Sequence, residues 1–201
     1  MENNNGEAGL QTLPSIAQVK AMNNIYFQAE HFAKKLNSRN PYKLLDFIGA
    51  NTELTYDFDP IGLKGFAIIV NKTMFAVING HLPEEEQRIV AGHEAAHLIL
   101  HKREILSSPA CALKDINLYD NTGKLEFEAN SFLADFLISD KQVIDVVADP
   151  DKDYFNISKE LYIPPPLFAF KLLSMIRRGH NLKNPAVLQS DFLGKAEIWK
   201  S

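Results

Sequence analysis

Residues 88–104 read "RIVAGHEAAHLILHKRE". His93 and His97 stand four apart, with Glu94 directly after the first. Two readings compete for this stretch. It is either a helix that presents a metal site, or an amphipathic helix whose histidines pack in a core. Its surroundings, "LPEEEQRIVAGHEAAHLILHKRE", predict a helix from Pro83 to about Glu104. Pro83 suits the first helical position. Glu84, Glu85 and Glu86 suit the positive end of the helix dipole, and Lys102 and Arg103 the negative end. Ile89, Val90, His93, Ala96, His97 and Leu100 recur at helical spacing and predict one inward stripe. Gly92 is the one poor helix former, and it leaves room beside His93 for a neighbouring backbone or a ligand.

On such a helix, residues four apart have Cβ atoms about 6 Å from one another. Two imidazoles there converge on one Zn²⁺ at about 2.1 Å each. Glu94 is rotated roughly 100° from His93, so it flanks the metal, where a general base for an attacking water belongs. His101 repeats the spacing once more. It lies about 12 Å along the axis from His93 and cannot complete the same site on a straight helix. It is either a partly exposed residue near the helix end or a contact to substrate or to the groups surrounding the metal ligands.

The third ligand must come from elsewhere, because a catalytic zinc keeps three protein ligands and one open position. The segment "KLEFEANSFLADFLISDKQVIDVV", residues 124–147, reads as one strong helix with two acidic candidates near its start. Glu126, Asn130, Leu133 and Leu137 fall on one inward face. Glu128 shares a more polar face with Ser131, Phe132 and Asp135. Helical phase therefore selects Glu126 as the ligand. Asn130, one turn on, is placed to hydrogen-bond a metal-bound histidine and fix its tautomer. The bland alternative is that Glu126 is a first-turn carboxylate facing the helix dipole.

The remainder reads as a mostly helical α+β chain. Residues 15–38 predict a helix with Ile25, Phe32 and Leu36 inward, and 40–51 a second short helix ending at Gly49 or Asn51. "TELTYDFD", "GFAIIVN" and "TMFAVIN" predict three strands of a small antiparallel sheet, with "NKT" as a hairpin turn. "SSPACALKDINLYDNTG" reads as irregular, and "FNISKELY" with "PPLFAFKLLSMIRR" as a last helical pair capped at Gly179.

The chain has 201 residues, 46% of them apolar, enough for one domain with a substantial core. A net charge of −4 argues against nonspecific nucleic-acid binding. No apolar run is long enough to span a bilayer, so no membrane partner is expected. Residues 1–14 are polar, do not read as a signal peptide, and are expected to form a disordered arm. Cys111 is the single cysteine, read as a small loop residue; it fits a reducing, cytoplasmic setting.

The order of these elements, with "AVINGHLPEEEQRIVAGHEAAHLILH" followed by "LEFEANSFLADFLIS", resembles the ImmA/IrrE family of bacterial metallo-endopeptidases over roughly residues 20–180. The resemblance implies a zinc metallopeptidase domain over 15–180, with a zincin-like active-site helix beside the small sheet and a tail over 181–201. It implies one catalytic Zn²⁺ held by His93, His97 and Glu126, with Glu94 as acid/base. The family's usual Leu-Gly after the first His-Glu is Ala95-Ala96 here, and its Leu-Met-Pro at the end of the second helix is "LIS". The second departure bears on substrate choice at the cleft edge. The resemblance also implies the substrate: a helix-turn-helix repressor, cut at one site to release genes of a mobile element, prophage or stress response.

The chemistry is then peptide hydrolysis, with His101, Tyr119 and His81 as candidate oxyanion donors. Two other functions remain open in the sequence. One is a zinc-stabilised module that sequesters a regulator without cutting it. The other is a DNA-binding regulator, because "ISKELYIPPPLFAFKLL" has a helix-turn-helix outline. Its second helix opens "PPLFAF", which offers no donors for base edges.

Overall fold

The computed structural model describes residues 16–109, 112–115, 123–149 and 151–182. Eight helices and four strands follow in chain order among them: α1 Ile16–Leu36, α2 Pro41–Ile48, β1 Ala50–Thr55, β2 Gly65–Val70, β3 Thr73–Asn79, α3 Glu84–Leu100, α4 Lys102–Ser107, β4 Ala112–Asp115, α5 Lys124–Leu137, α6 Asp140–Val147, α7 Tyr154–Glu160 and α8 Pro165–Arg177. The expected arm over 1–14, Cys111, Tyr119 and the tail beyond 182 lie outside the described residues.

The sheet corrects the expected three antiparallel strands. It has four, in the order β1-β3-β2-β4, and it is mixed. The β2–β3 hairpin is as the sequence suggests. Asn71 and Lys72 both take positive φ, 49° and 68°, and Val70 pairs with Thr73, the geometry of a tight two-residue turn. β1 instead runs parallel to β3, with Ala50 beside Met74 and Thr55 beside Asn79. The chain between β1 and β2 makes room for this by crossing back. Asn79 anchors that crossing: its buried side-chain amide donates to the carbonyls of Asp59 and Leu63, and its Oδ1 accepts from the His81 amide. β4 comes from the segment expected to be irregular and pairs antiparallel with β2, Ala112 beside Ile68.

α3 lies between the sheet and α5, and every residue from Ile89 to Leu98 is buried. The expected single inward stripe is thus too narrow; this is a central helix enclosed on all sides. Gly92 provides the clearance toward α5. A Cβ there would stand 2.4 Å from Leu133 Cδ1 and 3.2 Å from Pro41 Cγ. Its neighbours are therefore side chains of α5 and α2, not a backbone or a ligand. α1 packs on α5 through Ile25, Ala29 and Ala33, with Phe32 edge-on to Phe132.

The strong helix expected over 124–147 is two helices. α5 ends at Leu137, and Ser139 begins α6 with a capping box in which its hydroxyl accepts from the Gln142 amide and Gln142 answers to the Ser139 backbone. The break turns α6 so that Asp140 meets α8. There Lys171 Nζ, fully buried, lies 2.8 Å from both Asp135 Oδ1 and Asp140 Oδ1. Ser174 Oγ donates to Asp135 Oδ2 at 2.6 Å, and the Arg178 guanidinium forks onto both Asp140 oxygens while stacking on Tyr26. Burial pushes the Asp135 carboxyl above its usual range despite Lys171. Burial also works to raise Asp140, but hydrogen bonds from Arg178 and Lys171 outweigh it and hold that carboxyl well below its usual range.

Candidate metal centre

Two helices build the site. α3 places His93 and His97 one turn apart, and α5 places Glu126 in its first turn against them. The His93 and His97 Nε2 atoms face each other at 3.0 Å. Glu126 closes the triangle, with Oε2 at 3.1 Å from His93 Nε2 and Oε1 at 3.5 Å from His97 Nε2. Ligands about 2.0–2.1 Å from a tetrahedral ion sit about 3.3 Å from one another, which is the spacing of these three atoms. His93, His97 and Glu126 are the one cluster among the described residues whose donor atoms converge in this way. Both imidazoles are fully buried, whereas the Glu126 side chain keeps 24% of its exposure. The site therefore opens to solvent on the carboxylate side.

Asn130 sits where helical phase suggests. Its Oδ1 is 3.1 Å from His93 Nδ1. An amide oxygen only accepts, so the His93 Nδ1 at this contact carries a hydrogen, and a neutral His93 ring would then present its Nε2 lone pair to a metal. With the His97 ring and a carboxylate around it, this is a donor set of nitrogen and oxygen atoms suited to a divalent cation. Burial works to raise the Glu126 pKa, but hydrogen bonds from His93 and His97 prevail and hold the carboxyl well below its usual range. The residues present fit a metal.

Glu94 is also fully buried, on the side of α3 that faces β2. Gly65, the first residue of β2, makes that fit. A Cβ at position 65 would lie 2.8 Å from Glu94 Oε1.

The family model for the IrrE N-terminal-like domain, Peptidase_M78, matches residues 52–173. The chain belongs to this metallopeptidase family. A search of curated proteins gave no match. Membership carries a metal, typically zinc, and a protein substrate as properties of the family. The match begins in β1 and ends in α8, so it contains α3, α5 and His93, Glu94, His97, Glu126 and Asn130.

The remaining candidates sort out differently. His81 lies before α3, its ring against the Tyr56 carbonyl at 3.1 Å, and the helix itself begins about 13 Å along its axis from His93. His101 is not the partly exposed residue that its place at a helix end suggests. It is 2% exposed, with Nδ1 at 2.9 Å from His97 Nδ1 and Nε2 at 3.1 Å from Glu128 Oε2. Both ring nitrogens are thus committed within the protein, which leaves none for an oxyanion. Glu128 was set aside by helical phase. The early turn of α5 straddles α3, so two carboxylates on different faces of one helix both reach histidines of the other. The signal for this was present: His93, His97 and His101 form one four-residue ladder, and α5 offers two acids two residues apart. No helix among the described residues is long and apolar enough to cross a membrane.

Proposed function

We propose that this chain is a zinc-dependent endopeptidase that cleaves a helix-turn-helix repressor. The observation that carries the peptidase reading is the convergence of His93 Nε2, His97 Nε2 and the Glu126 carboxylate within 3.0–3.5 Å of one another, beside a buried Glu94. The repressor as substrate rests on the family resemblance.

In this reading His93, His97 and Glu126 hold the metal and Asn130 fixes the His93 ring. A bound zinc supplies Lewis acidity to the attacking water and to the peptide carbonyl. Glu94 takes a proton from that water and delivers it to the leaving amine, the work of a general base and then a general acid. Its burial at the contact of α3 with β2 holds the carboxylate in one position. A module that merely sequesters a partner has no need of Glu94 in that place.

DNA binding has less support. In α8, Leu167 through Leu172, Ser174 and Met175 are buried, so the helix that would enter a groove is enclosed by its own fold. The test is incubation of the purified chain with candidate helix-turn-helix repressors, with and without a chelator. Discrete cleavage that stops with chelator and returns with zinc is expected. An intact partner in the zinc-loaded reaction would overturn the substrate assignment.

A further inference from the structure

The proposed ligands do not end at the metal. His97 carries its Nε2 toward the site, and its other ring nitrogen meets His101, which in turn meets Glu128. Resting on the metallopeptidase reading above, we infer that His101 and Glu128 form a positioning relay that fixes and enriches His97 as a metal ligand.

Hydrogen-bond parity sets the direction of the chain. A metal at His97 Nε2 uses that lone pair, so the hydrogen of the His97 ring sits on Nδ1. Its contact at 2.9 Å is His101 Nδ1, which must then accept. The His101 hydrogen is consequently on Nε2, aimed at Glu128 Oε2 at 3.1 Å, an acceptor. Each nitrogen has one role and no alternative pattern satisfies all three groups with His97 ligating. The chain runs from metal ligand to imidazole to carboxylate. It extends the familiar carboxylate–histidine–metal arrangement by one ring. The extra ring is a histidine one turn further along α3, which meets His97 on one side and the Glu128 carboxylate on the other.

The arrangement has two effects. His97 is locked in the tautomer that ligates, and it donates into an acceptor chain ending in a negative charge, which raises the basicity of its Nε2. The two histidine ligands are held differently. His93 donates to a neutral amide oxygen, His97 to a histidine backed by a carboxylate. His97 is therefore the stronger donor of the pair. A histidine that served only to fill the core would need neither a carboxylate partner nor a fixed tautomer.

The test uses the full chain loaded with zinc. Zinc affinity is measured by chelator competition for wild type, His101→Phe, His101→Gln, Glu128→Leu and the Phe/Leu double variant. Loss of such a partner costs about 10–100-fold in metal affinity, and that loss is expected for His101→Phe and Glu128→Leu. The double variant should fall no further than the weaker-binding single, because both break one chain. His101→Gln should stay close to wild type, since its amide oxygen accepts from His97 and its amide nitrogen donates to Glu128. Nitrogen NMR of ¹⁵N-histidine-labelled wild type, which needs no substitution, should show His97 protonated at Nδ1 and His101 at Nε2. Wild-type affinity in both single variants, additive losses in the double, or the opposite tautomer of His101 would overturn the relay. A folded wild type that takes up no zinc would instead overturn the metal site itself. Glu128 keeps part of its exposure, so Glu128→Leu stands as the test if His101→Phe does not fold.

Discussion

Gly65 lies hard against Glu94. A Cβ at residue 65 would meet Glu94 Oε1 at 2.8 Å and Val90 Cγ1 at 2.5 Å. Gly65 is not among the residues with positive φ, so the requirement for glycine here is one of contact and not of backbone conformation. Strand β2 and helix α3 can approach this closely because that position has no side chain. Gly65→Ala should cost about 1–3 kcal/mol by overpacking, read from urea denaturation. Under conditions where both chains are folded, it should also lower cleavage, because the Glu94 oxygen is one of the atoms that must move, with Val90 Cγ1. An alanine variant with undiminished cleavage would show that Glu94 tolerates displacement.

Metal content comes next. The purified chain should carry close to one zinc ion, measured by elemental analysis. Glu126→Ala removes the only carboxylate of the converging three, and should leave chelator-resistant zinc far below wild type. Retention of full zinc by this variant would mean that another group completes the site.

Glu94→Gln separates catalysis from metal binding. Glutamine is nearly isosteric and can still hydrogen-bond, but it cannot take up a proton. Zinc content should be unchanged and cleavage should fall by at least 10²–10⁴-fold, the usual contribution of general acid–base catalysis. The variant should still capture the uncut partner in a pull-down. Equal cleavage by variant and wild type would remove Glu94 from the reaction.

The acid dependence of stability tests the network on α8. The folded-state pKa of Asp140 is depressed. Its contribution is therefore complete above the unfolded value near 3.9, and is lost as the pH falls from there toward the folded value. Asp140→Asn should cost about 3 kcal/mol at pH 7, the low end for removing one partner of a buried pair. The gap between the two chains should close as the pH drops below about 4. Comparing the pair of chains isolates Asp140 from Asp135, whose carboxyl shifts in the opposite direction. A gap that stays constant to pH 2.5 would show that the ion pairs are not its source.

Much of the site was legible because its chemistry is written in helical spacing. The four-residue step of His93 and His97 and the phase of Glu126 and Asn130 follow from 3.6 residues per turn, and both helices are long enough to hold that phase. Strand direction has no such signature. β1, exposed along most of its length, carries no pattern that tells parallel from antiparallel pairing with β3, and the crossing that decides it depends on Asn79 bonding to loop carbonyls. β4 is four residues long, too short to show a period. The break between α5 and α6 was marked by Ser139 and Gln142, but apolar residues continue through it and mask the cap. Spacing places His101 about 12 Å along the axis from His93, too far to share its ion, but does not say which groups its ring meets; a hydrogen-bonded chain covers that distance in two steps.

α5 is held at both ends. Its first turn carries Glu126 to the site, and its last turns carry Asp135 to Lys171 and Ser174. The family match stops at residue 173, between those two donors. A fragment cut at that boundary retains every proposed ligand, yet it discards Ser174 and Arg178. Asp135 Oδ2 loses its hydroxyl, Asp140 loses its guanidinium, and a buried lysine is left to balance two carboxylates alone. The network that holds the far end of α5 accordingly runs to Arg178, beyond the limit that similarity alone would draw.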